Sequence, residues 1–171
     1  NGGSDIFFSA TQNNYYTFVI GNNSATNNDL AILETTFNPT TFAALPTQSP
    51  IASNVSAGNN VVVTVTLSAN PQSGERVFVR YSSDNFVSNF NVVEATGFSG
   101  GVGTATIPGG FNNAGVTVSY YIFTTTIASP PAADADYLAL RIQTQSGETG
   151  SIWSYTVAAA APTAQPTNIQ F

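Results

Sequence analysis

Between Val61 and Val157 apolar side chains recur at every second position in run after run, and that period restricts the chain to β-strands. Val61, Val63, Val65 and Leu67 alternate with Val62, Thr64 and Thr66. Val77, Val79 and Tyr81 alternate with Phe78, Arg80 and Ser82, and Val116, Val118, Tyr120 and Ile122 with Thr117, Tyr121 and Phe123. Shorter runs surround Phe90 to Val93, Val102 to Ile107, Leu138 to Ile142 and Ile152 to Val157. Successive strand residues point to opposite faces, so each run offers an apolar face to a core. A pair such as Tyr120-Tyr121 must place one ring on each side. The nearest helical candidate, residues 158–161, is too short to stand alone and stops at Pro162.

Turn chemistry separates the runs. Asn70-Pro71 fixes a bend, Ser99-Gly100-Gly101 and Pro108-Gly109-Gly110 permit positive φ, and residues 145–150 read as a hairpin link between two late strands. About seven short strands at this spacing are the pattern of an antiparallel β-sandwich. Residues 1–45 hold further strands, around Ile6 and Phe8, Tyr16 to Ile20, and Leu30 to Leu33. They are expected either to end a preceding sandwich or to pack on the main one. Leu45-Pro46 through Pro50 reads as the boundary, giving a main domain over 46–157 and a Pro-rich linker or intersubunit strand over 158–171. After Pro166, Thr167-Asn168-Ile169-Gln170-Phe171 alternates again, so Ile169 and Phe171 are the candidate assembly residues.

Composition narrows the chemistry. The chain has 171 residues and no His, no Cys and no Lys, which removes Ser–His, Cys–His and Ser–Lys nucleophilic pairs and the common zinc sets. Its cations are Arg76, Arg80 and Arg141 alone, too few to replace the counterions of a nucleic acid. No run approaches the roughly 20 apolar residues of a membrane-spanning helix, and no signal peptide is visible, so a mature form or a fragment is expected. Charged residues are 7% of the chain, which suits lateral contact with copies of itself or neighbouring domains better than free diffusion. The nine acidic residues are dispersed, mostly in turns and at strand ends, where capping is the plain reading.

Two sets of residues stand out as candidate sites. Asp134 and Asp136 would point the same way in an extended segment, and with loop carbonyls they would supply a calcium site. The plainer reading is a cap on the turn entering the Tyr137 strand. Tyr121, Trp153 and Tyr155 are the candidate rings for stacking on a glycan, against a plain role in core and interface packing.

Val118-Ser119-Tyr120-Tyr121-Ile122-Phe123 and Gly150-Ser151-Ile152-Trp153-Ser154-Tyr155-Thr156-Val157 resemble strands of the immunoglobulin-like or fibronectin-type-III-like modules of secreted Bacteroidota proteins. Arg76-Val77-Phe78-Val79-Arg80-Tyr81-Ser82-Ser83-Asp84-Asn85-Phe86 is similar to another strand of such modules, where Trp often stands at the position of Phe86. Ala164-Gln165-Pro166-Thr167-Asn168-Ile169-Gln170-Phe171 resembles the opening of a fibronectin type III domain, and the stretch from Asn13 to Thr36 a segment that precedes such modules. The resemblance implies an immunoglobulin-like sandwich with additional N-terminal strands, export by the type IX route, and an extracellular or cell-surface place in a longer protein. It implies no reaction, since such modules occur in adhesins and beside glycoside hydrolases. The expectation is a non-catalytic structural or adhesive module of a fibre, filament or multidomain surface protein. The alternative is a carbohydrate-binding accessory to a secreted polysaccharide-degrading enzyme.

Overall fold

The computed structural model describes residues 8–23, 27–145 and 151–159. Its strands are β1 (Tyr15–Asn23), β2 (Asn27–Thr35), β3 (Phe42–Ser49), β4 (Val61–Leu67), β5 (Arg76–Ser82), β6 (Asn91–Ser99), β7 (Val102–Ile107), β8 (Thr117–Thr125), β9 (Arg141–Gln143) and β10 (Trp153–Thr156). Single 3-10 turns lie at Ala52–Asn54, Gly109–Phe111 and Ala135–Leu138. Every pairing between these strands is antiparallel, as the period-two pattern predicts.

β1 and β2 form a two-stranded sheet of their own, and the other eight strands make one sheet in the order β10-β8-β5-β6-β7-β4-β3, with β9 also on β8. β6 joins the two halves of that sheet. Its residues 91–95 pair with β5, whereas Thr96 and Ser99 pair with β7 across a register shift. Gly97 lies in the shift with φ +70°, a left-handed conformation that glycine adopts without strain. The sheet thereby turns back on itself. Val61, Val63, Val65 and Leu67 of β4 pack in one buried cluster with Val77 and Val79 of β5 and Val118, Tyr120 and Ile122 of β8.

β5 and β8 are buried on both faces except at their first residues. On the second face Phe78, Tyr121 and Phe123 form a smaller cluster with Ala135 and Ala139, contributed by the connection between β8 and β9. Tyr120 and Tyr121 fall on opposite sides, and both are buried.

Two expectations change. The boundary at Leu45-Pro46 falls inside β3, which pairs with β4 through two register shifts. Proline cannot donate to a ladder but is tolerated on an edge strand, and β3 is the edge. The run through Leu138 opens as a 3-10 turn, and only Arg141–Gln143 is strand, because Ala135 and Ala139 are drawn down onto the second cluster. β9 and β10 lie along the C-terminal and N-terminal halves of β8, and between them the Gln145 amide donates to the Ser151 carbonyl at 2.9 Å. Ala158 then forms a parallel bridge with Ser56. Ile169 and Phe171 lie outside the described residues.

Candidate functional site

Five of the described carboxylates, Glu34, Glu75, Asp84, Glu94 and Asp136, are engaged in holding the chain in shape. Glu75, buried at the start of β5, accepts the Thr40 amide at 3.0 Å, the Thr40 hydroxyl at 2.6 Å and the Gln72 amide at 3.0 Å. Glu94 pairs with Arg76 across neighbouring strands at 2.8 Å. Glu34 accepts from the Asn14 amide group and the Tyr16 hydroxyl, and these bonds hold it below the usual carboxylate range. Asp84 braces the turn after β5. It accepts the Ser82 hydroxyl at 2.7 Å, the Ser88 hydroxyl at 2.8 Å and the amides of Val87, Ser88 and Asn89. Those hydroxyls, Ser82 first, hold its carboxyl well below the usual range. The brace lets Asn85 and Phe86 take φ of 57° and 63°, left-handed values that cost energy in any residue but glycine.

That turn places Phe86 on Arg80. The guanidinium carbon sits 5.1 Å from the Phe86 ring centre, 4.8 Å from Phe90 and 5.6 Å from Tyr121. Arg80 is only 4% exposed, so its charge needs partners. Nη1 donates to the Tyr121 hydroxyl at 2.6 Å and to Asp136 Oδ2 at 3.1 Å, and Nη2 donates to the Ala133 carbonyl at 3.2 Å. The Tyr121 hydroxyl donates in turn to Asp136 Oδ1. Both oxygens of Asp136 are therefore engaged by the protein. Asp134 and Asp136 do not share one side of an extended strand, because Asp134 precedes the 3-10 turn and Asp136 lies within it. Among the described residues no group of three or more acidic side chains is placed to hold a metal ion.

The rings named for glycan stacking are largely used inside the protein. Tyr121 is 5% exposed and Tyr155 3%, and the Tyr155 hydroxyl donates to Asn112 at 2.8 Å. Trp153 is half-buried, stacked on Tyr120 with ring centres 5.8 Å apart. Two of the three faces are closed to a sugar.

The open surface is elsewhere. β1 and β2 are directly opposed, Phe18 with Ile32 and Ile20 with Leu30, so these four share a face. Phe18 is 51% exposed and Ile20 75%, with Phe8 stacked edge-on against Phe18. Beside β1 runs a groove whose walls are residues 17–20 and 139–142, with a volume of about 290 Å³. It continues into a second hollow of about 380 Å³ past Tyr15, Asn38 and Pro39. Arg141 is fixed there by donating from Nε to the Pro39 carbonyl at 3.2 Å. Sequence reasoning did not find this groove, although the alternation of Phe18 and Ile20 in a stretch of few strands was its available signal.

What the described residues offer is a groove between β1 and the segment 139–142, on an all-β, antiparallel protein. No protein-family model, curated protein or solved structure matches the chain.

Proposed function

We propose that the chain is a non-catalytic structural or adhesive module of an extracellular fibre or multidomain surface protein. Its body is an immunoglobulin-like sandwich, the two halves of the main sheet facing each other across one core with β6 shared between them. It joins copies of itself or neighbouring domains by strand addition, with residues 167–171 as the added strand.

The observation that carries this reading is the β1 edge: nine residues, without charge or proline, bearing exposed Phe18 and Ile20. Edges of that kind are where sheets accept another strand. Two further observations support it. The engaged carboxylates leave no free acid–base pair among those described, and the low charge leaves little to keep copies apart.

The test is the assembly state of the full chain against a chain lacking residues 167–171, followed by sedimentation velocity over a wide concentration range. The full chain forms dimers and larger species, and the shortened chain stays monomeric with an unchanged circular dichroism spectrum and Tm. Identical sedimentation of the two chains refutes the reading.

A further inference from the structure

We infer that the groove between β1 and residues 139–142 is the receiving site, and that residues 167–171 of a second copy are the strand that fills it. The inference rests on the strand-addition reading above and names the two surfaces that meet. Four other strand edges compete for the role, and each is poorly suited. β3 carries Pro46 and two register shifts. β10 has four residues and β9, taken alone, three. β2 carries the charge of Glu34. Broken, short or charged edges are how sheets resist added strands, and β1 has none of these protections.

The groove adds a second wall. β1 pairs only with β2, and β9 only with β8, among the described residues. A strand laid along β1 would pair with its open edge through backbone hydrogen bonds, with the segment 139–142 as the opposite wall. Each wall is four residues long, about 13 Å at the usual rise per residue. Residues 167–171, about 16 Å when extended, are long enough to span it, and Pro166 before them lacks the N–H needed to extend the ladder. The segment is uncharged, and it places Ile169 and Phe171 on one face. On the β1 side the groove presents the exposed Phe18 and Ile20 to meet them.

The ends of the fold set the direction of assembly. Ala158, bridged to Ser56, follows β10 past the Thr117 end of β8. β9, which forms part of the groove wall, pairs with Ile122, Phe123 and Thr124 toward the other end. β8 has nine residues, about 30 Å of strand. The chain thus leaves the described body at one pole and receives near the other, the arrangement that produces an open head-to-tail array.

The absence of cysteine makes a direct test simple. Two full-length variants, Ile20→Cys and Ile169→Cys, are mixed under mild oxidation and run on a non-reducing gel. A disulfide-linked dimer that forms several-fold more in the mixture than in either variant alone is the expected result. A dimer of the Ile20→Cys variant by itself, at equal yield, means that β1 pairs with another β1 and overturns the choice of occupant. An intrachain link in the Ile20→Cys/Ile169→Cys double variant, with no link in the mixture, means that the segment folds back on its own body and overturns the array. No link in any arm, while the chain lacking 167–171 has lost assembly, removes the groove but leaves the strand-addition reading standing. If that shortened chain assembles normally, the underlying reading fails.

Discussion

Asp136→Ala tests whether the second face of β5 and β8 is held by one charge network. The substitution removes the only acidic partner of Arg80 seen among the described residues and the acceptor of the Tyr121 hydroxyl. Breaking a fully buried ion pair by deleting one side costs about 3–5 kcal/mol. Here the Arg80 side chain is 5% exposed but that of Asp136 is 53%. Solvent screening at the carboxylate end roughly halves the cost, to about 2 kcal/mol. For a chain of this length that lowers Tm by about 4–8 °C. Arg80→Met is the informative partner. It deletes the charge while leaving an unbranched apolar side chain against the Phe86, Phe90 and Tyr121 rings, and it costs about 1 kcal/mol or less. The double variant Arg80→Met/Asp136→Ala is then more stable than Asp136→Ala alone, because no unpaired guanidinium remains. Urea unfolding of the four proteins measures the coupling directly. A strictly additive cycle, or an Asp136→Ala cost below about 0.5 kcal/mol, would refute the view that Arg80 depends on this carboxylate.

Two other predictions follow from the same packing. Burial pushes Tyr120 up to about 12, and it raises Tyr121 and Tyr155 further, with Asp136 adding to the rise at Tyr121. A raised folded-state pKa means that this contribution is intact below the unfolded value near 10 and is lost as pH climbs toward the folded one. Stability should therefore fall between about pH 10 and 12, by about 3 kcal/mol from Tyr120 alone. Urea midpoints that stay level across that window, or phenolate absorbance from all tyrosines near pH 10, would contradict it. Calcium at millimolar concentration should leave Tm unchanged, since both Asp136 oxygens already serve Arg80 and Tyr121. A rise in Tm that a chelator reverses would instead assign Asp134 and Asp136 to the ion.

Period-two alternation carried the strand content and the opposite placement of Tyr120 and Tyr121, because side-chain direction along a strand is a local property. That β5 and β8 are covered on both faces was not read, although the sequence carried the signal. Val77-Phe78-Val79 and Tyr120-Tyr121-Ile122-Phe123 are apolar on both faces, the pattern of a strand covered on each side. What covers the second face was not legible, since Ala135 and Ala139 mark themselves only through contacts with distant residues. The alternation placed Arg80 on the face opposite Val77, Val79 and Tyr81 but said nothing of its surroundings. Its cage is assembled by Phe86, set in place by the Asp84 turn, and by Tyr121, which is 41 positions away. β3 was misjudged for a related reason. Pro46 is a strand breaker in a central position and harmless on an edge, and edge or centre is decided by the whole sheet.

The same distinction between local pattern and sheet position explains why the candidate site sits on the hairpin. A two-stranded sheet is marginal unless a third strand or a packed face supports it. The main sheet meets this need internally, since β5 and β8 have neighbours on both edges and cover on both faces. Among the described residues β1 and β2 have one strand neighbour each and leave Phe18 and Ile20 exposed. An added strand beside β1 would supply the missing third strand, so the free energy that orders the hairpin and the free energy that joins two copies would be shared. By linkage each would strengthen the other. An open edge on a self-sufficient sheet gains little beyond contact, whereas an open edge on a two-stranded hairpin gains stability for the hairpin as well. That difference is the physical reason to place the junction at β1 rather than at β3, β9 or β10.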